Sequence, residues 1–249
     1  MPNQPFTAPD RTSTSHQYFF QGVDLKPLLG VSLCLGLVAT VVNTISQLHF
    51  QPAHGFSMRE FLRQFSLYSS CCLLGSIFAD KISIQHFLIR REGSWTKKSL
   101  LLLLFGVFPG VSIGITYHHL FAPYRFNPLV PLWIRQLGSH YDTFILSLRA
   151  SVTEELVFRF LLLTAFLYIL NKAFHPLIEQ GFGLTRWIPF LFSVLFSSLL
   201  FGVVHGAYGF MTAFLAGIAL CLSFFRGGLE SVILAHFLAD FLFFNWTYL

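Results

Sequence analysis

Residues 141–170 read YDTFILSLRASVTEELVFRFLLLTAFLYIL, an apolar stretch that carries Arg149, Glu154, Glu155 and Arg159. A helix that crosses a bilayer needs about 20 mostly apolar residues, and this stretch is long enough to be one. A charged side chain near the centre of such a helix costs about 2.5–3.5 kcal/mol on insertion scales, so these four in the interior of one segment, beyond Asp142 at its start, require a physical reason. The rest of the chain has the same character. Of its 249 residues, 54% are hydrophobic, 17% aromatic and 11% charged, whereas soluble domains carry roughly 25% charged residues. That balance excludes an ordinary soluble domain, whose exterior could not be covered with so few charges, and also a disordered, collagen-like or disulfide-rich secreted chain.

Scanning outward with the 20-residue template gives about seven spans, at 28–48, 61–79, 99–117, 141–170, 187–205, 210–225 and 229–248. The expected fold class is all-α, a polytopic transmembrane helical bundle, with six to eight spans allowed because 61–79 is weak and 141–170 is long. The expected organisation is a polar tail over 1–27, N-terminal transmembrane helices and an interfacial loop over 28–140, and a catalytic helical unit over 141–249. The stretch 120–137, with Pro123, Pro128, Pro131 and Trp133, reads as the loop at the interface. The tail has no apolar core and is not expected to be a signal peptide.

Loop charge supplies an orientation. With seven spans, Arg11, Lys26, Lys81, Arg90, Arg91, Lys97, Lys98, Lys172, Arg186 and Arg226 fall on one side, against Arg59, Arg63, Arg125 and Arg135 on the other. The expectation is an integral, multi-pass protein of a bacterial cell membrane with a cytoplasmic N-terminus. The net charge of +5 forms no basic face, so no nucleic-acid partner is implied. Cys34, Cys71, Cys72 and Cys221 lie in apolar stretches and read as packing residues.

Glu155 and Arg159 are four residues apart and share a helix face, where they can pair. Glu154 lies about 100° round the helix and is left available. Two histidines occupy later apolar segments: His205 ends Phe201-Gly202-Val203-Val204-His205, and His236 lies four residues before Asp240. Two glutamates, two histidines and an aspartate on three apolar helices can activate water, either by holding a metal ion such as zinc or as metal-free acid–base groups. Taken singly, the Glu/Arg pair reads as a structural ion pair and His205 as an interfacial residue. Tyr117, His118, His119 and Tyr124 read as aromatic-belt residues, and Asn245-Trp246-Thr247 as an accidental sequon.

Glu154-Glu155-x-x-x-Arg159, Phe201-x-x-x-His205 and His236-x-x-x-Asp240, in this order and each in its own apolar segment, resemble the CPBP (Abi) intramembrane proteases, which include the CAAX-processing endopeptidases. The resemblance covers about residue 141 to the C-terminus. It implies that Glu154, with His205, activates the attacking water, that Glu155 and Arg159 hold and tune that base, and that His236 and Asp240 polarise the carbonyl and stabilise the oxyanion. The family pattern commonly ends in asparagine, a donor, where this chain has Asp240. The aspartate therefore either stays protonated, or orients and charges His236, or serves as a metal ligand with Glu154, His205 and His236. The expected partners are membrane lipid and a protein or peptide substrate, prenylated or not. Two readings from other classes use the same residues: a proton-coupled transporter with a proton relay, and a non-catalytic scaffold or immunity protein.

Overall fold

In hydrocarbon every backbone N–H and C=O must be paired within the segment, so the apolar runs of this chain form helices. The computed structural model describes residues 25–82, 94–124, 134, 137–179 and 187–249. The polar tail, most of the expected interfacial loop, and Arg90 and Arg91 of the positive cluster lie outside these residues. The long helices are α1 (Leu25–Phe50), α2 (Met58–Lys81), α3 (Trp95–Phe121), α4 (140–179), α5 (Ile188–Val204), α6 (Gly206–Gly227) and α7 (Leu229–Tyr248), and no strand occurs among the described residues. Helices α1, α3, α6 and α7, with residues His140–Pro176 of α4, are long and apolar enough to cross a membrane; α5 is apolar but shorter. The chain is an integral, multi-pass helical membrane protein. Helix α2, the weak candidate in the sequence, forms a full helix but is not among the five apolar spans.

Two helices depart from regular α geometry, which apolar periodicity does not reveal. In α3 the segment Leu103–Val107 is π-helical and precedes Pro109, whose missing N–H and ring disturb the carbonyls of the turn before it. In α4 the π segment Leu156–Leu163 starts immediately after Glu154 and Glu155. Such bulges widen a helix and re-aim its side chains.

The packing is that of a membrane protein. Leu29 and Leu37 of α1 are each 47% exposed, whereas Ser32, Gly36, Ala39, Thr40, Asn43 and Ser46 face inward. Lipid is as apolar as leucine, so helices associate through small residues that let backbones approach. Gly75 of α2 lies against the Phe160 backbone of α4, and Gly110 of α3 lies against Ala235 of α7. Helix α7 packs on α3, α4 and α6, and α2 packs against the π segment of α4. Three of the four cysteines are buried and all four are free, in keeping with a packing role.

Two glycines set the reversals. His205 alone lies between α5 and α6, Gly206 (φ 68°) is the first residue of α6, and Gly228 (φ 83°) separates α6 from α7. Only glycine takes such positive φ without cost.

The close approach at Gly110 gives a test. A Cβ there would stand 2.5 Å from the Ala235 carbonyl oxygen, whereas nothing lies within 4 Å of one at Gly30. Gly110→Leu is expected to destabilise the protein by about 1–3 kcal/mol or more, and Gly30→Leu by much less. Thermal unfolding of the two variants in detergent measures the difference.

Candidate active site

Glu154 and Glu155 lie at the α-to-π transition of α4, His205 at the α5–α6 turn, and His236 and Asp240 in the middle of α7. The fold brings all five to one place. Glu155 and Arg159 are fully buried, with Arg159 Nη1 3.0 Å from Glu155 Oε1. The same carboxylate oxygen accepts a 2.6 Å hydrogen bond from His236 Nδ1. Arg159, Glu155 and His236 thus form a buried chain that joins α4 to α7. The sequence pairs Glu155 with Arg159 but does not reveal that Glu155 also holds the histidine, 81 residues further on.

Phe201 completes this arrangement. The Arg159 guanidinium carbon lies 4.0 Å from the centre of its ring, a cation–π contact. The ring also meets those of His205 (4.5 Å) and His236 (5.7 Å, edge-on). Its backbone carbonyl accepts a 2.7 Å hydrogen bond from His205 Nδ1. That bond fixes the ring and leaves Nε2 to face Glu154. The aromatic residue four before His205 therefore supplies both a platform and an orienting acceptor.

Glu154 makes no such bond. Its Oε2 is buried without a hydrogen-bond partner, 3.8 Å from His205 Nε2 and 4.0 Å from His236 Nε2. Asp240 Oδ2 lies 3.4 Å from His236 Nε2, on the side of the ring opposite Glu155. Glu155 rather than Asp240 holds the ring, and each imidazole nitrogen of His236 faces a carboxylate.

Taken singly, His205 reads from sequence as an interfacial residue. The structure sets it beside Glu154 instead. Helix α5 has 17 residues, about 25 Å at 1.5 Å each, so its C-terminal turn ends within the bundle, at the level of Glu154.

Glu154, Phe201, His205, His236 and Asp240 line a cavity of about 820 Å³ that also takes in Ile113, Tyr117 and Phe121 of α3, Phe158, Tyr208, Ala216, Leu220, Phe243 and Phe244, and Phe50 and Gln51 at the end of α1. Most of this wall is apolar. Tyr117 corrects the aromatic-belt expectation: it lines the cavity, its hydroxyl donates to the Thr212 carbonyl of α6, and its ring packs on Phe121 and Phe243. A tyrosine near a helix end reads the same from sequence whether it meets lipid headgroups or a cavity. Arg149 also lines the cavity, which the sequence flags only as one more charge in a span.

A tetrahedral zinc holds its ligands at about 2.0–2.1 Å, hence about 3.3 Å from one another. The Glu154–histidine separations exceed this, and among the described residues no group of three or more His, Cys, Asp or Glu is arranged to hold a metal ion. The donor set as it stands does not fit that ion.

Residues 136–242 match the family model described as type II CAAX prenyl endopeptidase Rce1-like. This segment is similar to that family. It covers α4, α5, α6 and most of α7, and so includes Glu154, Glu155, Arg159, His205, His236 and Asp240. No curated protein and no solved structure matches the chain. Within the matched segment the glutamates differ in surroundings: Glu155 is fully buried and bonded, and Glu154 is partly exposed to the cavity.

That difference should be measurable. Glu155→Gln leaves Arg159 buried without its carboxylate and is expected to cost about 3–5 kcal/mol. Glu154→Gln keeps the shape of a group with no partner and is expected to change stability by no more than about 1 kcal/mol. Unfolding temperatures in detergent should separate the two.

Proposed function

We propose that the protein is an intramembrane endopeptidase that hydrolyses a peptide bond of a membrane-associated protein or peptide, with Glu154 as the general base. One observation carries this reading: the unpartnered Glu154 Oε2, between the Nε2 atoms of His205 and His236 at 3.8 and 4.0 Å, on a large, mostly apolar cavity. His205 donates from Nδ1 to Phe201, so in the neutral ring Nε2 is an acceptor, as is the Glu154 carboxylate. Two acceptors at this spacing call for a donor between them, and a water molecule has two hydrogens to offer.

The water would give one proton to Glu154 as its oxygen attacks the substrate carbonyl carbon. The charge that develops on the carbonyl oxygen would be met by His236 Nε2, whose ring is fixed from the far side by Glu155. As the C–N bond breaks, Glu154 would return the proton to the leaving amine. Asp240, beside Nε2, would favour a hydrogen on that nitrogen. No step passes through a metal ion. The apolar walls suit an apolar or prenylated substrate, in agreement with the family match, and the lysine and arginine distribution supports a cytoplasmic N-terminus.

Purified protein in lipid nanodiscs, given an S-farnesylated peptide and its unmodified counterpart, should release a cleavage product. Glu154→Gln, His205→Ala and His236→Ala should each lower the rate by about 10²–10⁴-fold while helix content stays unchanged by circular dichroism. Wild-type cleavage by any of the three would overturn the assignment. Activity is expected to survive EDTA; its loss, with metal found in the purified protein, would move the mechanism to a metal. A proton relay instead predicts gradient-dependent transport without hydrolysis.

A further inference from the structure

Helix α5 carries Ser197 four residues before Phe201, which itself stands four before His205, so each lies one turn above the last on the same side of the helix. Phe201 and His205 belong to the site described above. Ser197 is fully buried and no part of the cavity wall, and its hydroxyl donates a 2.7 Å hydrogen bond to the Phe158 carbonyl of α4. A hydroxyl inside a helix commonly returns to the carbonyl four residues before it. Thr40 donates in this way to Gly36, Thr164 to Phe160 and Ser193 to Pro189. Ser197 instead joins two helices across 39 residues of chain.

Its acceptor lies in the π segment Leu156–Leu163, which begins directly after Glu155. A π turn is rare, so its surroundings must favour it over the regular helix. The rest of this contact is apolar: the Phe158 and Phe201 rings meet edge-on at 5.2 Å, with Val157, Leu162 and Leu200 packed round them. Lipid is as apolar as these side chains and fixes their relative height only weakly. A hydrogen bond is directional, and lipid offers no donor to replace it. Glu154 stands four residues before Phe158 and His205 eight after Ser197, on the two elements that this bond joins.

We propose that Ser197 is a positioning residue: its bond to the Phe158 carbonyl sets the register of α4 against α5 and so holds Glu154 and His205 at the spacing that one water bridges. The proposal rests on the endopeptidase reading and adds to it the group that fixes the water-activating pair. Ser197 acts through the π segment and touches no reacting atom.

The test compares Ser197→Ala with Ser193→Ala in nanodiscs. Each deletes one fully buried hydroxyl from α5, but only the first breaks a bond to α4. With the S-farnesylated peptide, Ser197→Ala should lower kcat by about ten- to a hundred-fold and leave KM within about two-fold, because a shift on the order of 1 Å at the reacting groups has that effect. Ser193→Ala should leave both constants near wild type. Ser197→Cys keeps a weak donor and should recover part of kcat; it also carries the comparison if Ser197→Ala does not insert. An arm independent of activity uses solid-state NMR of protein with isotope-labelled histidine, the His205 signal being identified by its loss in His205→Ala. Ser197→Ala should shift that signal and Ser193→Ala should not. Equal loss of kcat in the two serine variants, a wild-type kcat in Ser197→Ala, or a His205 signal that Ser197→Ala leaves in place would each overturn the proposal. A His205 shift specific to Ser197→Ala in a protein that hydrolyses no peptide would uphold the register and overturn the endopeptidase reading. Hydrolysis that Ser197→Ala leaves unchanged would do the reverse.

Discussion

The buried chain Arg159–Glu155–His236 is the interaction on which the rest of the site depends. Moving a carboxylate or a guanidinium out of water costs several kcal/mol per ion even after relaxation, and both Arg159 and Glu155 are fully buried. Neither is tolerable alone. Together they hold α4 and α7 in one register, because the Glu155 oxygen that meets Arg159 also receives the hydrogen of His236 Nδ1. With Nδ1 occupied, the opposite nitrogen of the ring faces Asp240 and Glu154. The aromatic face of Phe201 closes over Arg159 and makes edge contact with His236.

Two adjacent glutamates thereby acquire different properties. On an α-helix consecutive side chains diverge by about 100°. If one is aimed at a cation in the core, the next points to the side, here into the cavity. The π segment that begins at Leu156 widens the helix just where this divergence is used. Helix α5 contributes by being short. Its last turn stops beside Glu154 rather than at the far end of the bundle, and Gly206 reverses the chain there at a φ that other residues rarely adopt.

The cavity is not the property of the matched segment 136–242 alone. Its wall includes Ile113, Tyr117 and Phe121 of α3, and also Phe50, the last residue of α1, and Gln51, all outside residues 136–242. The proposed catalytic side chains come from one part of the chain and much of the surface that a substrate would meet from another. Small residues make this possible: Gly110 and Gly114 bring α3 against α7, which is why so much of the inward surface is small and so much leucine is left for lipid.

Local chemistry was legible in the sequence. Apolar runs of about 20 residues require helices in a bilayer, and charges are so costly there that the few exceptions, Glu154, Glu155, Arg159, His236 and Asp240, stand out without any coordinates. The four-residue spacing of Glu155 and Arg159 announces their pair. What sequence could not supply were relations between distant segments and departures from ideal period: the bond from His236 to Glu155, the platform made by Phe201, the depth of His205, the π segments, and the cavity-facing position of Tyr117. Hydropathy and helical period are properties of one segment at a time, so the sequence by itself determined the solvent, the helices and the exceptional residues. Which nitrogen faces which carboxylate, and that Glu154 Oε2 is left without a partner between two histidines, was decided by the tertiary structure, because only the packing of α4, α5 and α7 brings those atoms within 4 Å of one another.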